Sequence, residues 1–409
     1  MHGIPDRFIL STFEAIRDDK GDWRRLLSAT AESGIDTVEL VFKDRELVTK
    51  ILPCFAGTGL KAIVQDRVIG GIGDEPADPD GAAVSETLAH YRPYDDVIAG
   101  YYLWDEPTRE MFPLCRRLNE QLAAAAPEKW RLFNVFPSYG VYGWDAAAYR
   151  WEDNTYAQYV EDFLDTAAPP LLAMDHYPFR PLPGSLIRSD LWRDVGLCSQ
   201  SAQRRGIPFW FYFQGVDMES GLLGRLTPAH IAAQMGGALA YGAKALSWFC
   251  SMGVLTDVEG ERMPEYAELC RLNRRIKRIG QALFPRTRTA VSHSGLSEAE
   301  NAAYFALPPS ALAAVCALPD GLLAAEFSGT AGDGGALLLV NKETARSVSG
   351  DIRWASGQEI SAFDAETGTS GGWQRAAKEP LTLLPGEARL WIFRREQKKS
   401  ALPLGNTSG

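Results

Sequence analysis

Along the first two thirds of the chain, apolar positions fall in short runs. Longer stretches separate them, in which apolar residues recur every third or fourth position. The short runs read as strands and the longer stretches as amphipathic helices. The strand candidates are FILSTFE (8–14), DTVELVF (36–42), KAIVQDRV (61–68), VIAGYYLWDE (97–106), RLFNVFP (131–137), LLAMDHYPF (171–179), PFWFYFQG (208–215) and KALSWFCSMG (244–253). Helical spacing runs through WRRLLSATAESG (23–34), EMFPLCRRLNEQLAAAA (110–126) and TPAHIAAQMGGALAYG (227–242). The last opens on Thr227 as N-cap with Pro228 in the first helical position.

Eight strand-then-helix units over about 275 residues match a (β/α)8 TIM barrel in count and in size. A doubly wound sheet needs fewer units and usually carries a Gly-rich phosphate loop after its first strand. STFEAIRDDKGDW has none. After about Ile276 the texture changes. GALLLVNKET (335–344), SGDIRWASG (349–357), EISAFDAETG (359–368), PLTLLPGE (380–387) and ARLWIFRR (388–395) are short strands joined by Gly, Asp, Asn and Ser turns. The expected architecture is α/β: a barrel over 1–283, a small antiparallel β-sandwich over 284–397 whose strands begin between 285 and 325, and a disordered tail over 398–409.

Composition changes this picture little. The chain has 409 residues, 46% of them apolar and 23% charged, enough for a large core and two domains. A net charge of −10 argues against nucleic acid or an anionic membrane as partner. Cys54, Cys115, Cys198, Cys250, Cys270 and Cys316 form no CxxC pair and no zinc-like cluster with His. That suggests free thiols and a reducing compartment. No apolar run reaches the roughly 18–20 residues of a membrane span, and MHGIPDRFILSTF lacks a basic segment followed by a long apolar one. The protein is expected to be cytoplasmic, or secreted with its leader removed, and a homo-oligomer stays open.

Barrel chemistry sits at the C-terminal ends of the strands. The polar residues there are Glu14, Glu39, the group Gln65, Asp66 and Arg67, then Asp105, Glu106, Asn134, Ser138, Tyr139, Asp175, His176, Tyr177, Gln214, Asp217, Ser247 and Trp248. This rim is rich in carboxylates and aromatic rings. It has no nucleophilic-serine elbow, no flavin or phosphate loop and no His cluster. Carboxylates beside aromatic platforms suit sugars: the rings stack on apolar sugar faces, and the carboxylates do acid–base and nucleophilic work. Strict alternation on the fourth strand puts Tyr102, Trp104 and Glu106 on one side and Asp105 on the other. If Glu106 points into the mouth, Asp105 then lies nearer the helices, where it caps the next helix or orients Glu106.

WDEP (104–107) resembles the Asn-Glu-Pro motif of clan A glycoside hydrolases, with Asp105 in place of the Asn. The resemblance implies that Glu106 is the acid/base. Trp248 in LSWFCSMG is similar to the strand-eight aromatic that floors the sugar subsite of that clan. The wider pattern of DEP, DHYPF, GIPFWFYFQ and AYGAKALSWF also resembles bacterial barrel proteins labelled as glycoside hydrolases. The clan's nucleophilic Glu ends strand seven, where this chain has Gln214. The second carboxylate must come from elsewhere: Asp175 first, then Glu39, then Asp217. Gln214 would bond a sugar hydroxyl or position water. His176 is a proton-shuttle or packing candidate, and Trp210 and Tyr212 share the parity of Gln214. Trp144 and Trp151 lie in the aromatic segment after strand five, which would wall a cleft or pack over the barrel.

The expected activity is hydrolysis of an oligo- or polysaccharide, without metal or cofactor. Two rivals remain. A non-catalytic carbohydrate-binding barrel draws on Gln214. A metal-dependent deacetylase or amidohydrolase needs His and Asp ligands on several strand ends. Of His2, His90, His176, His230 and His293, only His176 falls at a predicted strand end.

Overall fold

The computed structural model describes residues 3–13, 15–16, 21–42, 44–72, 80–139, 156–179, 190–216 and 226–395. Glu14, Trp144, Trp151, Asp217 and the 398–409 tail lie outside them. The barrel strands are β1 (Ile9–Phe13), β2 (Thr37–Val41), β3 (Lys61–Gln65), β4 (Ile98–Asp105), β5 (Trp130–Val135), β6 (Leu172–His176), β7 (Phe209–Gln214) and β8 (Ala245–Phe249). They pair in parallel in the order β3-β2-β1-β8-β7-β6-β5-β4, and β3 pairs with β4 to close the ring. Helices α1 (Trp23–Glu32), α2 (Arg45–Ile51), α3 (Gly81–Tyr91), α4 (Phe112–Ala125), α5 (Tyr156–Ala167), α6 (Leu191–Arg204), α7 (Pro228–Ala240) and α8 (Tyr266–Leu283) surround it. Thr227 is extended ahead of Pro228, and its N–H donates to His230 Nδ1 at 3.1 Å, so α7 starts where its N-terminal signal predicted. Among the described residues no helix is long and apolar enough to cross a membrane.

Barrel strands are buried on both faces, which is why they read as nearly continuous apolar runs. Alternation sorts the two faces. Ile9, Ile63, Tyr102, Leu132, Trp210 and Tyr212 fill the barrel interior. Leu10, Val64, Tyr101, Phe133, Phe211 and Trp248 pack outward beneath the helices. Strand β4 breaks the rule. Tyr102 is inside, Leu103 and Trp104 both join the outer core, and Asp105 returns to the inside. Its pairing with β5 shifts register between Tyr102 and Trp104. One extra residue is accommodated there as a bulge.

The C-terminal region is antiparallel. β9 (Arg288–His293), β11 (Leu322–Ser328), β12 (Gly335–Asn341), β16 (Ala388–Arg395) and β14 (Gln358–Asp364) run side by side in that order. β10 (Val315–Ala317), β13 (Val348–Trp354) and β15 (Lys378–Leu383) form a second, three-stranded sheet. Ala324, Leu337, Leu339 and Trp391 face Ile352, Trp354, Leu381 and Leu383 between the sheets. The other face of the large sheet, with Leu323, Leu338, Val340 and Leu390, joins the barrel core. The three earliest strands, β9 to β11, were not expected as strands. GLLAAEFS is buried on both faces and so lacks the period-two signal.

Candidate active site

A cavity of about 200 Å³ opens at the C-terminal ends of the barrel strands. Phe13, Tyr102, Asp105, Glu106, Asn134, Phe136, Tyr139, Asp175, Tyr177, Tyr212 and Phe249 line it. The bulge in β4 brings Asp105 to the mouth. Glu106 follows with a backbone φ of 50°. That left-handed conformation is uncommon for a residue with a side chain and implies local strain. It turns Glu106 toward the cavity beside Asp105, so two adjacent carboxylates share one floor. The turn is held on both sides. The Glu106 N–H donates to Asn134 O at 2.8 Å, and the Tyr159 hydroxyl donates to Pro107 O at 2.8 Å.

Asn134 organises the acids. Its amide Nδ2 donates to Asp175 Oδ1 at 2.9 Å and to Asp105 Oδ1 at 3.2 Å. Asp105 Oδ1 also accepts from the Tyr102 hydroxyl at 2.7 Å, and Asp175 accepts a hydrogen bond from the Tyr177 side chain. The Glu106 carboxyl makes no hydrogen bond or ion pair among the described residues. Loss of water dominates all three. Burial raises Asp105 above the usual carboxylate range. Asp175 is pushed up to about 7, by burial first and the Asp105 charge second. Burial, then the Asp175 and Asp105 charges, hold Glu106 well above its ordinary value. Donors to Asp105 and Asp175 favour their ionised forms, while Glu106 has no such support. The proton therefore stays longest on Glu106.

Glu39 lies one layer deeper, 1% exposed. Its Oε1 accepts from Ser11 Oγ at 2.7 Å and Ser247 Oγ at 2.8 Å, and its Oε2 from the Tyr212 hydroxyl at 2.8 Å. Burial nevertheless raises it to about 7. It is not in the cavity lining, but Tyr212, which is, bonds it. Asn134 and Tyr177 do line the cavity, and the Tyr177 ring stacks on Phe249 at 4.5 Å between centroids.

Other expected positions differ. Asp105 caps no helix: it faces the cavity because the bulge reverses its parity. Trp248 is fully buried and faces outward, packed on Phe213 with Nε1 donating to Asn273 Oδ1 at 3.3 Å. Ser247 points inward to Glu39, so Phe249, two residues on, is the strand-eight aromatic at the cavity. That parity was available in the sequence. Gln214 is 0% exposed and outside the lining. Its Oε1 accepts from Phe179 N at 2.8 Å and its Nε2 donates to Phe179 O at 3.1 Å, clamping the chain after β6. His176 also faces outward, with Nε2 at 3.2 Å from Asp190 Oδ1. His176, Asp190 and Asp194 bring three donor atoms within 4.8 Å of one another. Asp194 is already engaged by Ser138 N at 2.9 Å and Arg193 Nε at 3.2 Å. Phe13, Phe136 and Phe249 were missed, since apolar residues at strand ends look like core.

A larger cavity, about 480 Å³, lies by the opposite strand ends, lined by Lys244, Phe284 and Arg288 among others. Lys244 Nζ donates there to the carbonyls of Leu283, Phe284 and Arg286. In barrel enzymes that end serves stability.

No protein-family model matches the chain, and no curated protein matches it. Solved structures do. A GH27 β-L-arabinopyranosidase from Geobacillus stearothermophilus aligns over 97% of this chain and 98% of its own, at 9% identity and a TM-score of 0.53. A family 51 α-L-arabinofuranosidase from Bifidobacterium longum aligns over 96% and 97%, at 11% identity and a TM-score of 0.48. The chain shares its fold, a TIM barrel followed by a C-terminal β-domain, with the arabinopyranosidase.

Proposed function

We propose that the protein is a glycoside hydrolase in which Glu106 is the general acid and Asp175 the second carboxylate. The observation that carries this is the asymmetry of the three cavity acids. Asn134 supports the ionised forms of Asp105 and Asp175, while Glu106 is buried beside two negative charges without a donor. Pairs of carboxyls whose environments push them apart divide into acid and base. Protonated Glu106 gives its proton to the leaving glycosidic oxygen as an oxocarbenium-like sugar forms. Ionised Asp175 then acts as nucleophile or activates water. The aromatic rings of Tyr177 and Phe249 offer a stacked platform for the sugar. The fold shared with known glycosidases is consistent with this reading. The binding-only alternative rested on Gln214, which is buried outside the cavity.

The test is turnover of aryl glycosides and natural oligosaccharides. Glu106→Gln is expected to lower kcat by on the order of 10²–10⁴, and Asp175→Asn to cause a comparable loss. Full activity in a folded Glu106→Gln variant would overturn the acid assignment. A loss below about tenfold in Asp175→Asn would move the second role to Glu39 or Asp217.

A further inference from the structure

The cavity has a donor deficit. Three carboxylates line it, and among the described residues no Lys, Arg or His does. Most of its donors are spent. Tyr102 donates to Asp105, Tyr212 to Glu39, and Asn134 Nδ2 to both Asp105 and Asp175. Apart from the acid proton of Glu106 and the Tyr139 hydroxyl, what remains is acceptors. Both donors to Asp105 land on Oδ1, so its Oδ2 carries no hydrogen bond among the described residues. Independently, Asn134 Oδ1 has no partner among the described residues, although Asn134 is only 4% exposed and lines the cavity. A buried acceptor left unpaired is costly, so such a group calls for a ligand donor. The acid/base scheme uses two carboxylates, which leaves Asp105 without a catalytic task.

A neutral sugar supplies hydroxyl donors, but its own lone pairs would face mostly acceptors, and it leaves the surplus negative charge unbalanced. A protonated amine is all donor and brings the missing charge, and aromatic walls accept a cation on their faces. Resting on the hydrolase reading, we propose that the substrate is an amino sugar whose ammonium is held by Asp105 Oδ2 and Asn134 Oδ1. Asp105 is then the specificity-determining residue.

The experiment measures binding apart from turnover. Glucosamine, galactosamine and mannosamine are titrated at about pH 7 against glucose, galactose and mannose, by calorimetry or saturation-transfer NMR. Wild type and Asp105→Asn are compared, with thermal melts to check folding. At least one amine is expected to bind wild type about tenfold or more tightly than its hydroxyl partner, with the gap mostly closed in Asp105→Asn. If no amine outbinds its partner, or none of the six sugars binds, the proposal is overturned. A preference that survives unchanged in folded Asp105→Asn overturns the assignment to that residue. The wild-type comparison stands even where the variant fails to fold. Hydrolysis of neutral glycosides without amine preference would sink this inference and leave the hydrolase reading intact. Amine preference without hydrolysis of any glycoside would do the reverse.

Discussion

Asn134 decides the protonation of the site, because one amide nitrogen serves two carboxylates. Removing it withdraws support from the ionised forms. Asn134→Ala is therefore expected to raise the Asp175 pKa and move the acid limb of the kcat/KM–pH profile to higher pH; an unmoved limb would contradict the role given to Asp175. Glu39 gives a stability prediction of definite sign. Its folded pKa of about 7 exceeds the ordinary 4.5, so the native state holds a proton that the unfolded chain releases between those values. Stability should fall as pH rises from about 4.5 through 7, and the penalty should persist above. Glu39→Gln removes the charge. The variant is expected to gain melting temperature relative to wild type at pH 8 and little at pH 4, and a uniform loss at both would refute the account.

At the scale of elements, the barrel depends on close approach between strand and helix. Gly280 on α8 lies over the Phe8 ring just before β1, and a Cβ there would come within 2.6 Å of it. Gly280→Ala should overpack this contact and cost about 1–3 kcal/mol, read as a lower urea midpoint with unchanged slope. Wild-type stability would mean that the helix shifts without cost. The β4 bulge and the positive φ of Glu106 work at the same scale. Together they bring two neighbouring acids to one surface, which a regular strand cannot do.

For the whole molecule, the large C-terminal sheet is a shared layer. Its inner face packs on α7, where a Cβ at Gly236 would lie 3.0 Å from Val340 and 3.1 Å from Ala388. The seam also satisfies buried polar groups: Tyr241 bonds His293 at 2.8 Å, and Lys342 bonds its other ring nitrogen at 3.0 Å. Burial and the Lys342 charge hold His293 down to about 3, so it is neutral at the seam. A chain ending at Phe284 would expose the apolar face of α7 and should aggregate or melt without a cooperative transition. A monomeric, cooperatively folding fragment would show that the barrel stands alone.

The count of eight strand–helix units, the switch to short antiparallel strands and the start of α7 at Thr227–Pro228 were all legible in the chain, because periodicity and caps are local. So was the concentration of carboxylates and aromatics at strand ends. Local rules failed where partners decide. Strict alternation, with Glu106 in the mouth, sent Asp105 outward, and the clan resemblance sent Trp248 inward; but pairing with β5 introduced a bulge in β4, and the inward Ser247 sent Trp248 outward and Phe249 to the mouth. Nothing near Gln214 announces that Phe179 would claim its amide. Nor does spacing reveal that Asn134 would bridge two acids from different strands. Those contacts join residues distant in sequence, and the acidities that follow from them belong to the closed barrel.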